Sequence, residues 1–120
     1  MGNNVIYELS KKFAIRIIKL YVFLKEEKHE FVMSKQIYRC GTSIGANIAE
    51  STYAQSTPDY ISKLSISLKK EASETQYWLD LLQESNYITT EQYESISNDV
   101  KTIIGTLVNI INKLKQKNNQ

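Results

Sequence analysis

Lys12, Arg16 and Lys19 are spaced at four and three residues. On a helix that spacing sets three cations in one row. A row of cations is suited to phosphates and carries no means of reading bases. Lys35 and Arg39 extend the set to five candidate nucleic-acid contacts. Tyr7, Tyr21, Tyr38 and Tyr53 either stack on bases or pack at helix edges, and packing is the commoner use. A second polar stripe runs through Ser43, Asn47 and Glu50. These groups either fix helix register and a subunit contact or touch a ligand, and we favour the structural use. Arg39 or Arg16 is the expected partner of Glu50.

Nothing in the sequence assembles a catalyst. His29 is the single histidine and lies in the charged run Lys28-His29-Glu30, so it is read as a solvated loop residue. Glu71 with Glu74, and Glu91 with Glu94, sit one helical turn apart, but no Glu-x-x-His element accompanies them to hold iron. Ser43 has no neighbouring base to activate it. Gly41 and Gly45 lack the Gly-Lys-Ser/Thr run of a phosphate loop. Cys40, the one cysteine, has no partner for an intramolecular disulfide and is read as a small core residue. The expectation is no enzyme, no catalytic residue, no cofactor and no metal.

The elements that position these residues are helices. Four glycines and one proline in 120 residues are too few for a turn-rich β fold. The chain is long enough for one domain with a core, assigned to residues 1–120. Helix 1 is expected over about 5–27, with Leu9, Phe13, Ile17, Leu20 and Leu24 as its core stripe. Helix 2 follows over about 32–53, after a charged break. Thr57 is placed to cap helix 3, with Pro58 in its first turn. That helix spans about 58–85 along the seam Ile61, Leu64, Leu68, Ala72, Thr75, Leu79 and Leu82. Thr89 and Gln92 match a capping box, with Ile88 and Tyr93 as its hydrophobic staple. They open helix 4, over about 90–114, whose seam is Ile96, Val100, Ile103, Leu107, Ile110 and Leu114. Residues 115–120 are expected to fray. Four long helices with short links make an all-α, antiparallel up-down-up-down four-helix bundle.

Two features point beyond one protomer. Gly41, Gly45 and Ala49 form a small-residue ridge on helix 2, beside Ile37, Ile44 and Ile48. Each interior glycine costs about 0.5–1 kcal/mol against alanine, so close packing must compensate; leucine at Gly45 is expected to be severely destabilising if the ridge is buried. Ile15, Ile18 and Val22 make a second apolar strip on helix 1, and Ile66, Tyr77 and Leu81 another on helix 3. A lone bundle needs one stripe per helix, so these six are candidate oligomer contacts.

Charge is segregated along the chain. Residues 1–39 hold eight Lys/Arg and four acids, residues 40–112 hold four Lys and nine acids, and three Lys close the chain. A basic face attracts polyanions, and a solvated helix face explains the same pattern equally well. The chain start has no basic residue ahead of an apolar run, and no run reaches the ~18 apolar residues of a membrane span. The cytoplasm is the expected location, with no membrane partner.

From Arg39 to Glu50, above all in Ser43-Ile44-x-x-Asn47-Ile48-Ala49-Glu50, the chain resembles the four-helix bundle proteins encoded in intervening sequences of 23S rRNA genes. Gly41 and Gly45 fall in the same segment. Phe13 to Leu20, Tyr60 to Leu64 and Glu74 to Leu79 fit the same family, while helix 4 matches by pattern alone. The resemblance implies a four-helix protomer that assembles as a homopentamer. It also implies similarity to the accessory protein of diversity-generating retroelements, a basic pentamer that binds its reverse transcriptase and nucleic acid. The expected function is a non-catalytic homo-oligomeric scaffold associated with RNA, DNA or a nucleic-acid enzyme. The alternative is a protein-binding or structural oligomer without nucleic-acid affinity.

Overall fold

A computed structural model describes residues 4–118, and these form helices without a strand. The elements are α1 (Asn4–Glu26), α2 (Met33–Ser51), α3 (Thr57–Ile66), a π-helical turn (Ser67–Ala72), α4 (Ser73–Glu84) and α5 (Thr90–Asn118). α3, the π turn and α4 run on as one rod, so the chain folds as four helices. The molecule is elongated, with extents of 51 × 22 × 20 Å.

One core runs the length of the rods. α1 contributes Ile6, Phe13, Ile17, Leu20 and Leu24, while Leu9 is half-buried at its edge. α2 adds Ile37, Cys40, Ile44 and Ile48. α5 buries Ile96, Val100, Ile103, Leu107 and Ile111. The final step is four residues, not the three expected at Ile110. A straight helix turns through 3.6 residues, so a strict 3.5 seam drifts off the core. Ile17 lies against Gly41 and Ser10 against Gly45, which ties α1 to α2. Ser67 donates to the Ile44 carbonyl at 3.1 Å, and Thr75 contacts the Cys40 sulfur at 3.3 Å, tying α2 to the third rod.

The helix ends have identifiable causes. Glu30 is buried, and its carboxylate accepts from the backbone N–H of Val32, Met33 and Ser34 at 3.1, 3.1 and 2.7 Å. It therefore satisfies the open N-terminus of α2 from outside the helix. The break before α2 is not uniformly solvated, as its charge suggests; it holds a buried cap. Ser56, one residue before the expected Thr57, caps α3, its hydroxyl accepting from Asp59 N–H at 3.2 Å. Asp59 returns a bond to Gln55 N–H at 3.1 Å. The Thr89/Gln92 capping box forms in both directions, at 2.9 and 3.1 Å. α5 continues through Lys115 and Lys117, past the expected end at Leu114, and both cations suit the negative end of its dipole. Of the expected frayed tail, Asn119 and Gln120 lie outside the described residues.

The π turn is the main departure from the expected seam. Along it Ser67, Glu71 and Ala72 are buried and Leu68 is only half-buried. A π turn inserts extra residues per turn and rotates everything after it. The seam therefore breaks its heptad spacing between Leu64 and Ala72.

Candidate nucleic-acid interface and assembly surfaces

Each cation of the candidate set sits on an amphipathic helix whose apolar stripe fixes its direction. Lys12 and Lys19 project into solvent from α1. Arg16 does not share their freedom. It forms an ion pair with Asp99 at 2.6 Å and donates to the Ser95 carbonyl at 3.2 Å and the Ser95 hydroxyl at 2.9 Å. Arg16, Lys19, Leu20 and Phe23 line a groove between α1 and α5, closed on the other side by Gln92 and Ile96. Its volume is about 300 Å³.

Lys35 is exposed near the start of α2, one turn before Arg39. Arg39 faces α4, pairing with Glu74, while Glu71 lies 3.8 Å from its guanidinium. Trp78 donates its indole N–H to the same Glu74 at 3.1 Å. The five candidates are thus divided between an α1/α5 face and an α2/α4 face. Glu50 is exposed, and neither arginine serves it; both turn to acids on other helices, where two aligned rods hold the pair in place.

Glu71 lies in the π turn with its Oε1 buried and without a hydrogen-bond donor among the described residues. The Glu71 backbone carbonyl instead accepts from Thr75 at 2.7 Å. Cys40 sits beside this cluster. Burial pushes its thiol up to about 11, against the partial relief of the Thr75 contact. A thiol held protonated is a poor nucleophile.

The α2 polar stripe turns back on its own helix. Ser43 donates to the Arg39 carbonyl at 2.6 Å, and Asn47 donates to the Ser43 carbonyl at 3.0 Å. These bonds satisfy the side chains locally. On the opposite side, Ile44 and Ile48 are in the core. Gly41 is the tight point of the ridge: a Cβ there would stand 2.8 and 2.9 Å from the γ carbons of Ile17. At Gly45 the nearest atom, the Ser10 hydroxyl oxygen, would be at 3.4 Å, an ordinary contact. Gly45 and Ala49 border a groove between α1 and α2 of about 180 Å³, so the close approach expected at Gly45 belongs to Gly41.

The apolar strips divide as well. Ile15, Ile18 and Val22 are 47%, 42% and 43% exposed, too much for core residues. Ile66 and Tyr77 are also exposed, whereas Leu81 is half-buried. Tyr21 and Tyr38 pack together with ring centres 4.7 Å apart, Tyr7 is half-buried, and Tyr53 stands in solvent at the end of α2.

A polar network absent from the sequence reading joins α4 to α5. Tyr93 donates to Asp80 at 2.6 Å, Gln76 donates to both, and Ser97 donates to Gln76 at 3.1 Å. The bond to Asp80 raises the Tyr93 phenol above its ordinary range. No helix among the described residues is long and apolar enough to cross a membrane.

Comparison with known proteins adds two findings. The family model described as 23S rRNA-intervening sequence protein matches residues 2–109. A solved structure, that of a protein with unknown function from the S23 ribosomal protein family of Bacteroides thetaiotaomicron, is 58% identical. That match covers 93% of this chain and 99% of the other, with a TM-score of 0.90. None of the curated proteins matches.

Proposed function

We propose, from the premise that this chain belongs to the 23S rRNA-intervening sequence protein family, that it is a non-catalytic homo-oligomeric scaffold for nucleic acid or a nucleic-acid enzyme. The subunit number is five, following the resemblance of its Arg39–Glu50 segment, and the location is the cytoplasm. The protomer is an antiparallel up-down-up-down bundle. Supporting that topology, contacts descend along one helix as they rise along its neighbour: Ser10 with Gly45 and Ile17 with Gly41, then Ile44 with Ser67 and Cys40 with Thr75.

The observation that carries assembly is the exposed ridge of Ile15, Ile18 and Val22. Three branched aliphatics in line on one helix face form an apolar patch that a second surface would remove from water. Lys12 and Lys19 flank it, and several copies would repeat them around the assembly. Repetition raises avidity without new contacts.

Fluorescence anisotropy with labelled RNA and DNA, from low to physiological salt, tests the nucleic-acid part. The expected binding is weak per subunit, strongly salt-dependent and indifferent to sequence. Each neutralised phosphate contributes about −0.7 to −0.9 to the slope of log K against log salt. Changing Lys12 and Lys19 to Gln flattens that slope. Arg16 is excluded from the set because its loss would break the Asp99 pair. Binding that survives the double change unaltered would show that another face is used.

The protein-binding oligomer stands as the second reading. It is favoured by the engagement of Arg16 and Arg39 with acids of their own chain, which leaves fewer cations for phosphates. Absence of binding even at low salt would select it.

A further inference from the structure

α1 keeps its charge to one sign over most of its length. Between residues 9 and 25 it carries Lys11, Lys12, Arg16, Lys19 and Lys25 and no acid. Lys12, Arg16, Lys19 and Phe23 follow one another at four, three and four residues, so an aromatic ring shares the face of the cations. From Lys12 to Phe23 the row is about 16 Å long. Glu26 and Glu27, exposed at the end of α1, mark its limit.

The row borders the α1/α5 groove, and that groove does not stop at Phe23. Phe23 and Gln92 also line a second hollow of about 240 Å³, completed by Lys28, Asn86, Tyr87 and Ile88. The two make one trough along the α1/α5 seam, in the range of about 300–1,000 Å³ typical of ligand sites. Its floor is apolar, with Leu20, Ile88 and Ile96 buried beneath it. Phe23 and Tyr87 are half-buried in its walls, and the amides of Asn86 and Gln92 are exposed at its mouth. Lys19 and Lys28 are exposed at the rim, and the Lys28 ammonium stands 5.8 Å from the centre of the Phe23 ring. Asp99, the α5 acid beside the groove, is taken up by Arg16. Lys12, Lys19 and Lys28 enter no ion pair among the described residues.

We infer that this trough is a binding site for single-stranded nucleic acid, with a base stacked on Phe23 and the backbone phosphates on Lys12, Lys19 and Lys28. This rests on the nucleic-acid reading above and names its site. A basic edge with an aromatic ring set into it suits an occupant that alternates planar rings with negative charges, and a single strand does so at every residue. An acidic peptide matches the charges but has no use for a ring between them. A duplex matches the charges too, yet its bases face each other and cannot reach a half-buried ring. Lys28 is exposed and free to yield the ring face to a base and turn to its phosphate. Asn86 and Gln92 each offer both a donor and an acceptor, so they accept any base edge, and the site discriminates little between sequences.

Three probes and three variants of the full chain test the site. The probes are a labelled oligouridylate, its duplex with oligoadenylate, and labelled poly-glutamate, followed by fluorescence anisotropy at low salt. Phe23→Leu keeps the apolar packing and removes the aromatic face. It is expected to weaken oligouridylate about fivefold or more, and to leave the duplex and poly-glutamate unchanged. Lys28→Gln is expected to weaken oligouridylate and lower its salt slope by about 0.7. Lys101→Gln, the same change of charge on the opposite side of α5, is expected to leave both nearly as they were. Circular dichroism checks that each variant folds. Replacing uridine by 5-iodouridine and irradiating is expected to cross-link Phe23 or Tyr87, located by peptide mass mapping. Oligouridylate that binds Phe23→Leu as it binds the wild type, or cross-links confined to other residues, would overturn the site while leaving the nucleic-acid reading in place. An equal loss of the duplex would overturn the stacking, and an equal loss of poly-glutamate would assign the trough to an acidic peptide instead. Failure of both nucleic-acid probes to bind the wild type would overturn the nucleic-acid reading itself and the site with it.

Discussion

Gly41→Ala is expected to destabilise the protein, although alanine is the better helix former. The substitution gains nearly 1 kcal/mol of helix propensity. Against that, the new Cβ meets Ile17 Cγ1 at 2.8 Å, Cγ2 at 2.9 Å and Cδ1 at 3.2 Å. Ile17 is fully buried, and a β-branched side chain in a helix has one strongly preferred χ1 rotamer. Its γ carbons cannot swing away as the end of a long chain could, so α1 and α2 must separate. Overpacking of this kind costs about 1–3 kcal/mol. The balance is a loss of up to about 2 kcal/mol.

Gly105 supplies the control, since nothing lies within 4 Å of a Cβ built there. Gly105→Ala should gain about 0.5–1 kcal/mol. Gly45→Ala should gain somewhat less, against its ordinary contact with Ser10. Urea unfolding followed by circular dichroism gives the three midpoints. Protein concentration is held fixed, because an oligomer's midpoint depends on it. The double variant Gly41→Ala/Ile17→Ala removes the colliding carbons and should cost less than its two parts together. If Gly41→Ala proves as stabilising as Gly105→Ala, the reasoning about a closed α1–α2 contact is refuted.

Three further outcomes follow from the helix ends and the core. Glu30→Ala removes the acceptor of three backbone N–H groups and should cost about 2 kcal/mol or more in urea unfolding, since bonds to charged groups contribute about 1.5–3 kcal/mol each. Ser56→Ala removes the α3 cap and should cost about 1 kcal/mol, whereas an unchanged midpoint would deny the cap any role. Cys40 makes stability fall at alkaline pH: its thiol stays protonated in the fold to about 11 but ionises from 9.0 when unfolded. Its contribution is therefore complete below pH 9 and is lost as pH rises toward 11, on the order of 2–3 kcal/mol. Cys40→Ala should flatten that limb of the stability profile relative to the wild type.

Legibility in the sequence followed the range of the forces involved. Phe13, Ile17, Leu20 and Leu24 were readable because helix periodicity is local and burial needs one stripe. The Thr89/Gln92 box was readable because both partners lie within one turn. Glu30 was not, since its run Lys28-His29-Glu30 carries the composition of a solvated loop, and only the path back toward α2 buries it. His29, in a left-handed conformation at φ 51°, helps make that turn. The π turn leaves no periodic mark of its own and depends on neighbours such as the Ile44 carbonyl that receives Ser67. The same holds for the candidate cations. Their spacing on α1 and α2 was visible, but the division of Arg16 to Asp99 and Arg39 to Glu74 is tertiary. Partners 83 and 35 residues away leave no local signal.

The central claim is assembly, and the mass of the wild-type particle tests it most directly. Light scattering coupled to gel filtration at micromolar concentration should give about 70 kDa, five copies of the 13.9 kDa chain. A stable particle of one 13.9 kDa chain under those conditions would contradict the account.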